Sequence, residues 1–194
     1  MSCVNTVDGC CICVIELRIF ESYMPLQLTH SMTSKDFKKI IIDKLTEILK
    51  PSGFKKTGNT FSASNGDLTY FVNIQSSQSS TASTLRLTVN IEIYSSIVYK
   101  LQDTSLPEKW SRHYTQRIGS MFDNPQDKWW TVENEKEAND AATEIADITS
   151  NRVLPTLDQL KTTNDLAALW RQNKCPGLTE HQRKEYLSLL DNVK

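Results

Sequence analysis

The run from Leu85 to Tyr94 leaves a chain little conformational choice. Leu85, Leu87, Val89, Ile91 and Ile93 share one parity, and Arg86, Thr88, Asn90, Glu92 and Tyr94 share the other. Successive side chains of a strand point to opposite faces, so this is a strand with one buried and one polar face. Leu68–Gln75 repeats the pattern, with Leu68, Tyr70, Val72 and Ile74 set against Thr69, Phe71, Asn73 and Gln75. A first strand-like run, Gly53–Ser64, precedes it. Asn65-Gly66, a dipeptide suited to both centres of a type I′ hairpin turn, predicts antiparallel pairing of those first two strands.

Helical spacing flanks this core. Behind Ser34 as N-cap, Phe37, Ile40, Ile41, Leu45, Ile48 and Leu49 form an apolar stripe that Pro51 and Gly53 terminate. Ser76–Thr84 is almost wholly Ser and Thr, and it is expected to be mobile rather than packed. Leu101–Glu108 is read as a loop, Trp110–Phe122 as a fourth strand and Lys128–Val132 as a short fifth. Beyond these the period turns helical. Ala138, Ala141, Ala142, Ile145 and Ile148 make a narrow stripe, and Leu154-Pro155 marks a kink or restart. Asp165–Gln172 is a short helix, and Thr179 with Gln182 opens a last one as a capping box. Strands first and helices later give an α+β domain over residues 32–194. It is expected to hold an antiparallel sheet of four or five strands, an N-terminal helix and a C-terminal helical segment.

A chain of 194 residues with a formal charge of −1 is large enough for a sizeable core and is not built to grip nucleic acid through phosphates. Charge is uneven, however: Lys35–Thr60 carries a net +4 and Glu133–Asp158 a net −5. Two solvated helix faces account for this more simply than two partner surfaces. Residues 1–31 hold Cys3, Cys10, Cys11 and Cys13, but without the paired CxxC spacing of a structural zinc site. Their apolar run is interrupted by Glu16 and Arg18 and is too short to cross a bilayer. Met32 opens a helical pattern at once, so 1–31 reads as a disordered extension or a mis-assigned start.

The runs LKPSGFKKTGNTF and VNIQSS, a long strand, RIG with DKWW, and the tail CPGLTEHQRKEYLSLL together resemble the bacterial domain of unknown function 4304. The similarity spans about residues 32–193. It implies a small intracellular (cytoplasmic) α+β domain, and it brings no activity or catalytic residues with it.

No catalytic set, metal set or cofactor motif emerges from the residues. Two candidate sites do. The polar sheet face places Phe71, Asn73 and Gln75 beside Arg86, Thr88, Asn90 and Glu92, a mixture of amides, charges and one aromatic that suits a protein partner. Phe71 is awkward there, because an aromatic ring on a solvent face needs cover. The alternative is an anion site in RHYTQR, where His113 would act as acid or base between Arg112 and Arg117. A lone His in an amphipathic strand is, more simply, a surface residue. Trp129 and Trp130 point to opposite faces of a strand. One belongs to the core; the other is packed under the C-terminal helices, the preferred reading, or exposed as a binding anchor. Cys175, at a helix end, is read as structural.

Overall fold

A computed structural model describes residues 31–192, apart from 103–104, 106, 109–110 and 176. The expectations for residues 1–30, including the cysteine cluster, lie outside the described residues, as does Trp110 at the start of the expected fourth strand.

Helix α1 spans Ser34–Leu49. Its N-cap is Thr33, one residue earlier than expected, because Asp36 reaches back to accept from the Thr33 N–H at 2.8 Å and from its hydroxyl at 2.7 Å. Phe37, Ile41, Leu45 and Leu49 are buried along one stripe. Six antiparallel strands follow: β1 (Lys55–Thr57), β2 (Thr60–Asn65), β3 (Leu68–Ser76), β4 (Leu85–Ser95), β5 (Tyr114–Arg117) and β6 (Trp130–Val132). The first expected strand is thus two, joined by a tight turn at Gly58.

The second hairpin also differs in its turn. Asn65 pairs with Leu68, so the two loop residues are Gly66 and Asp67 rather than Asn65 and Gly66. Gly66 takes φ +61° and Asp67 stays at negative φ, the pattern of a turn with glycine at its first centre, as in type II′. This frees Asp67 to act as a clamp. Its carboxylate accepts from the Thr163 N–H at 2.8 Å and from the Thr163 hydroxyl, while its carbonyl accepts from the Ser96 N–H at 2.9 Å.

β1 to β5 lie in sequence order. The outer edge of β4 is shared, with Asn90–Ile93 pairing β5 and Leu85–Leu87 pairing β6. The fourth strand is therefore much shorter than expected. It ends at Arg117, where Ile118–Met121 turns into a 3-10 helix. The fifth, β6, keeps only Trp130–Val132 of its expected span.

Helix α2 (Ser96–Leu101), not foreseen, starts directly from β4 on the Ser95 hydroxyl, which caps the Val98 N–H. Helix α3 (Glu135–Ile148) buries Ala138, Ala141, Ala142 and Ile145. A π-helical turn, Thr149–Val153, carries it on into α4 (Leu154–Gln159), and the Thr149 hydroxyl returns to the Ile145 carbonyl. Helices α5 (Thr163–Arg171) and α6 (Glu180–Asp191) both open on capping boxes.

Helix α1 and α3 meet through small and apolar residues, which bury the alternating face of β3 and β4 beneath them. The oppositely charged stretches do not pair across that contact among the described residues. Lys39–Asp43, Lys44–Glu47 and Lys136–Asp140 are pairs within one helix, all exposed, and add little to stability. The Ser/Thr link is not a loose loop. Ser77 and Thr81 hydroxyls accept from backbone N–H groups two or three residues on, and the Ala82 carbonyl accepts from the Ser34 N–H at 2.8 Å. Polar residues hold this loop by satisfying its own backbone.

Candidate functional site

Cross-strand register puts the polar parities of β3 and β4 on one face. Phe71 stands opposite Glu92, Asn73 opposite Asn90, and Gln75 opposite Thr88. Strands β5 and β2 extend it, with Thr115 beside Glu92, Arg117 beside Asn90, and Thr60 beside Asn73. Within it, Asn90 donates to Gln75 at 2.8 Å and Asn73 to the Thr60 hydroxyl at 2.7 Å.

Phe71 finds its cover in a cation. The Arg112 guanidinium lies 4.0 Å from the ring centroid, and Arg112 Nε donates to Glu92 at 2.7 Å. Both charged side chains are about one-fifth exposed, at 22% and 20%. Apolar ring, guanidinium and carboxylate form one stack, in which each group satisfies a need of its neighbour.

A second aromatic joins the face from the loop before β6. Trp129 has Arg86 at 5.3 Å and Arg117 at 5.2 Å from its ring centroid, and it donates from Nε1 to Asp127 at 3.3 Å. Arg117 in turn pairs with Asp127 at 2.6 Å, which holds that carboxyl below its ordinary range. Its neighbour Trp130 is the core residue, donating to Glu144 at 2.6 Å. Only one tryptophan of the pair is therefore core, because adjacent residues of an extended chain point to opposite sides.

Glycine makes this loop fit. A Cβ at Gly119 would lie 2.4 Å from the Gln126 carbonyl oxygen and 2.6 Å from the Lys128 nitrogen. At Gly177 it would lie 2.0 Å from the Thr115 carbonyl oxygen, so the chain before α6 presses on β5. The motifs RIG and DKWW meet here. Arg117 holds Asp127, Gly119 admits the backbone beside it, and Trp129 lands between two arginines. A hollow of about 460 Å³ opens between these parts, lined by Gln75, Asn90, Glu92, Thr115, Arg117 and Asp127 among others.

The sequence candidates are distributed unevenly over this geometry. Phe71, Asn73, Gln75, Arg86, Asn90 and Glu92 share the open face. Thr88 does not face outward; it is fully buried and donates to the Lys128 carbonyl at 2.9 Å, fastening the tryptophan loop. Sequence reasoning missed Trp129 and Asp127 as members of this face. The tryptophan pair was the available signal.

Arg112, His113 and Arg117 do not converge on one pocket. Arg112 serves Phe71 and Glu92, and Arg117 serves Asp127. His113 is buried rather than on the surface, packed on Tyr94 at 5.5 Å and edge-on to Tyr186 of α6 at 5.2 Å. Its Nδ1 accepts from the Ser95 N–H at 2.8 Å, which places the proton on Nε2, facing Gln102 at 3.1 Å. Burial first, and the Arg112 charge second, push it down to about 4. Such an imidazole is neutral, enclosed and fully engaged. Cys175 is buried too, and burial pushes its thiol up rather than activating it. Among the described residues no cluster of His, Cys, Asp and Glu has the makings of a metal site, and no helix is long and apolar enough to cross a membrane.

No curated protein and no solved structure matches the chain. The profile of a domain of unknown function, DUF4304, matches residues 45–159. That span takes in all six strands, both sheet motifs and helices α3 and α4, and it leaves α5 and α6 outside. With more than half of its length matched, the chain belongs to the domain of unknown function 4304 family.

Proposed function

We propose that this domain is a non-catalytic protein-binding module that meets its partner through the open polar face of the sheet. The observation that supports it most is the Arg86–Trp129–Arg117 cluster beside the Phe71–Arg112–Glu92 stack. Tryptophan and arginine are the residue types that dominate interface hot spots, and here loop anchoring holds them ready before any partner arrives. Amides at Gln75, Asn73 and Asn90 supply donors and acceptors around them. An immunity-type role, in which the domain neutralises a toxin by sitting on it, fits this reading by analogy of size and architecture. A small anionic substrate held jointly by Arg112, His113 and Arg117 draws no support from their separate placements.

The test is affinity capture with the full chain as bait, followed by binding of the identified partner in purified form. Arg86→Ala with Trp129→Ala is expected to weaken that binding at least about a hundredfold while leaving the fold intact. A partner held equally well by the double variant rules out this face.

A further inference from the structure

We propose that the groove between the end of α1 and the edge strand β1 receives an extended, acidic segment of a partner protein, which pairs with β1 as an added strand. The proposal stands independently of the polar-face reading. A hollow of about 360 Å³ lies there, with Phe54 and Phe61 as its floor and Thr46, Lys50, Lys55 and Lys56 as its walls. Both rings are buried, at 7% and 1% exposure, so the floor is firm and apolar.

The three lysines are exposed, and none has an ion pair among the described residues. Of the other lysines from Lys35 to Thr60, Lys39 is held by Asp43, Lys44 by Glu47 and Lys38 by the Ser76 hydroxyl at 2.9 Å, while Lys35 stands at the opposite end of α1. Three lysines without an ion pair among the described residues thus surround one apolar hollow. Among the described residues β1 pairs only with β2, so the backbone N–H and C=O of its outward side, chiefly those of Lys56, have no strand partner there.

Edge lysines ordinarily keep sheets from joining edge to edge. Like charges here repel the same edge of a second copy of this chain. The same lysines attract a strand of opposite sign, so the device that forbids self-pairing selects an acidic guest. Backbone pairing to β1 supplies affinity, an apolar side chain of the guest fills the Phe54–Phe61 hollow, and its acids meet Lys50, Lys55 and Lys56.

The experiment titrates the full chain into a fluorescein-labelled peptide of about seven residues, alternating glutamate and threonine around a central phenylalanine. Saturable binding is expected, weakening about fivefold or more as salt rises from about 50 to about 300 mM. Amide resonances of Lys55–Thr57 should shift and become protected from exchange. Lys55→Glu with Lys56→Glu should lower affinity about tenfold or more, and Arg86→Ala should leave it unchanged. Lys50→Glu, on an exposed helix end, serves as a second variant should the double change impair folding. Absence of saturable binding, equal affinity for the peptide with lysine in place of glutamate, unaltered binding by the charge-reversed variants, or resonance shifts at Arg86 and Trp129 instead of β1 would each overturn the proposal.

Discussion

At the Tyr94 end of β4's polar side the chain builds an interior, and at the Arg86 end of the same side it leaves a surface. The two ends belong to one strand and one parity, so alternation does not distinguish them. What differs is the cover. Near Tyr94, α2 brings Tyr99 to 5.8 Å, His113 lies alongside, and Tyr186 of α6 stacks on both His113 and Trp170. Near Arg86 the cover is the Trp129 ring from the loop before β6, flanked on its other side by Arg117. Aromatic rings occur at both ends. Where helices cover them they make a core, and where arginines cover them they stay on the open face that we propose as the binding surface.

The sharpest way to break this comparison is to truncate one tryptophan from each end. Trp170 is fully buried, and Trp170→Ala is expected to cost about 4 kcal/mol in urea unfolding, against about 1 kcal/mol for Trp129→Ala. Equal losses would mean that both ends are core. Trp170 Nε1 has no hydrogen-bond partner among the described residues, so Trp170→Phe should recover much of the loss despite its smaller ring.

The second effect depends on pH. His113 titrates at about 4 in the folded chain, below the ordinary 6.5, so the unfolded chain binds its proton first as pH falls. The stability conferred by neutral His113 is complete above pH 6.5, is lost between 6.5 and about 4, and stays lost below that. The loss is on the order of 3 kcal/mol. Urea midpoints measured across this window should show the slope, and His113→Gln should flatten it. A wild-type protein with no such slope would argue that the His113 end is open to water.

Smaller again is Gly177→Ala, expected to cost about 2 kcal/mol, since its Cβ would press into the Thr115 carbonyl. A neutral result would show that the loop before α6 lifts easily from β5. The least effect belongs to the Phe71–Arg112 stack, which lies between the two ends. A double-mutant cycle of Phe71→Leu with Arg112→Ala should give a coupling of about 0.5–1 kcal/mol, measured by denaturation, and a coupling near zero would leave Phe71 without cover.

Much of this was written plainly in the chain. The parity of Leu85–Ile93 and of Leu68–Ile74 named every residue of the sheet's apolar face on β3 and β4, because period-two alternation survives any choice of neighbour. The α1 stripe and the α6 capping box are equally local signals. What alternation does not carry is which helix lies over the other face. His113 reads as a surface residue until Tyr186, far along the chain, closes over it. Helix α2 was hidden because Ile97, Val98 and Tyr99 are strand formers by propensity, and the Ser95 cap and the end of the sheet override them. Trp129 was hard to place for a similar reason. Its position depends on Gly119 admitting a backbone, which is a matter of fit rather than pattern.

The divided edge of β4 also has a temporal meaning. Its inner half waits for β5, its outer half for β6, and the hollow beside them waits further for the chain around Gly177. During synthesis, β4 leaves the ribosome well before any of these, with an unmatched flank that only later-made residues can occupy. The open polar face is therefore among the last features to exist on a nascent chain. A product released early would carry the apolar half of the sheet and its first helix, but it would lack the completed face that we propose meets a partner.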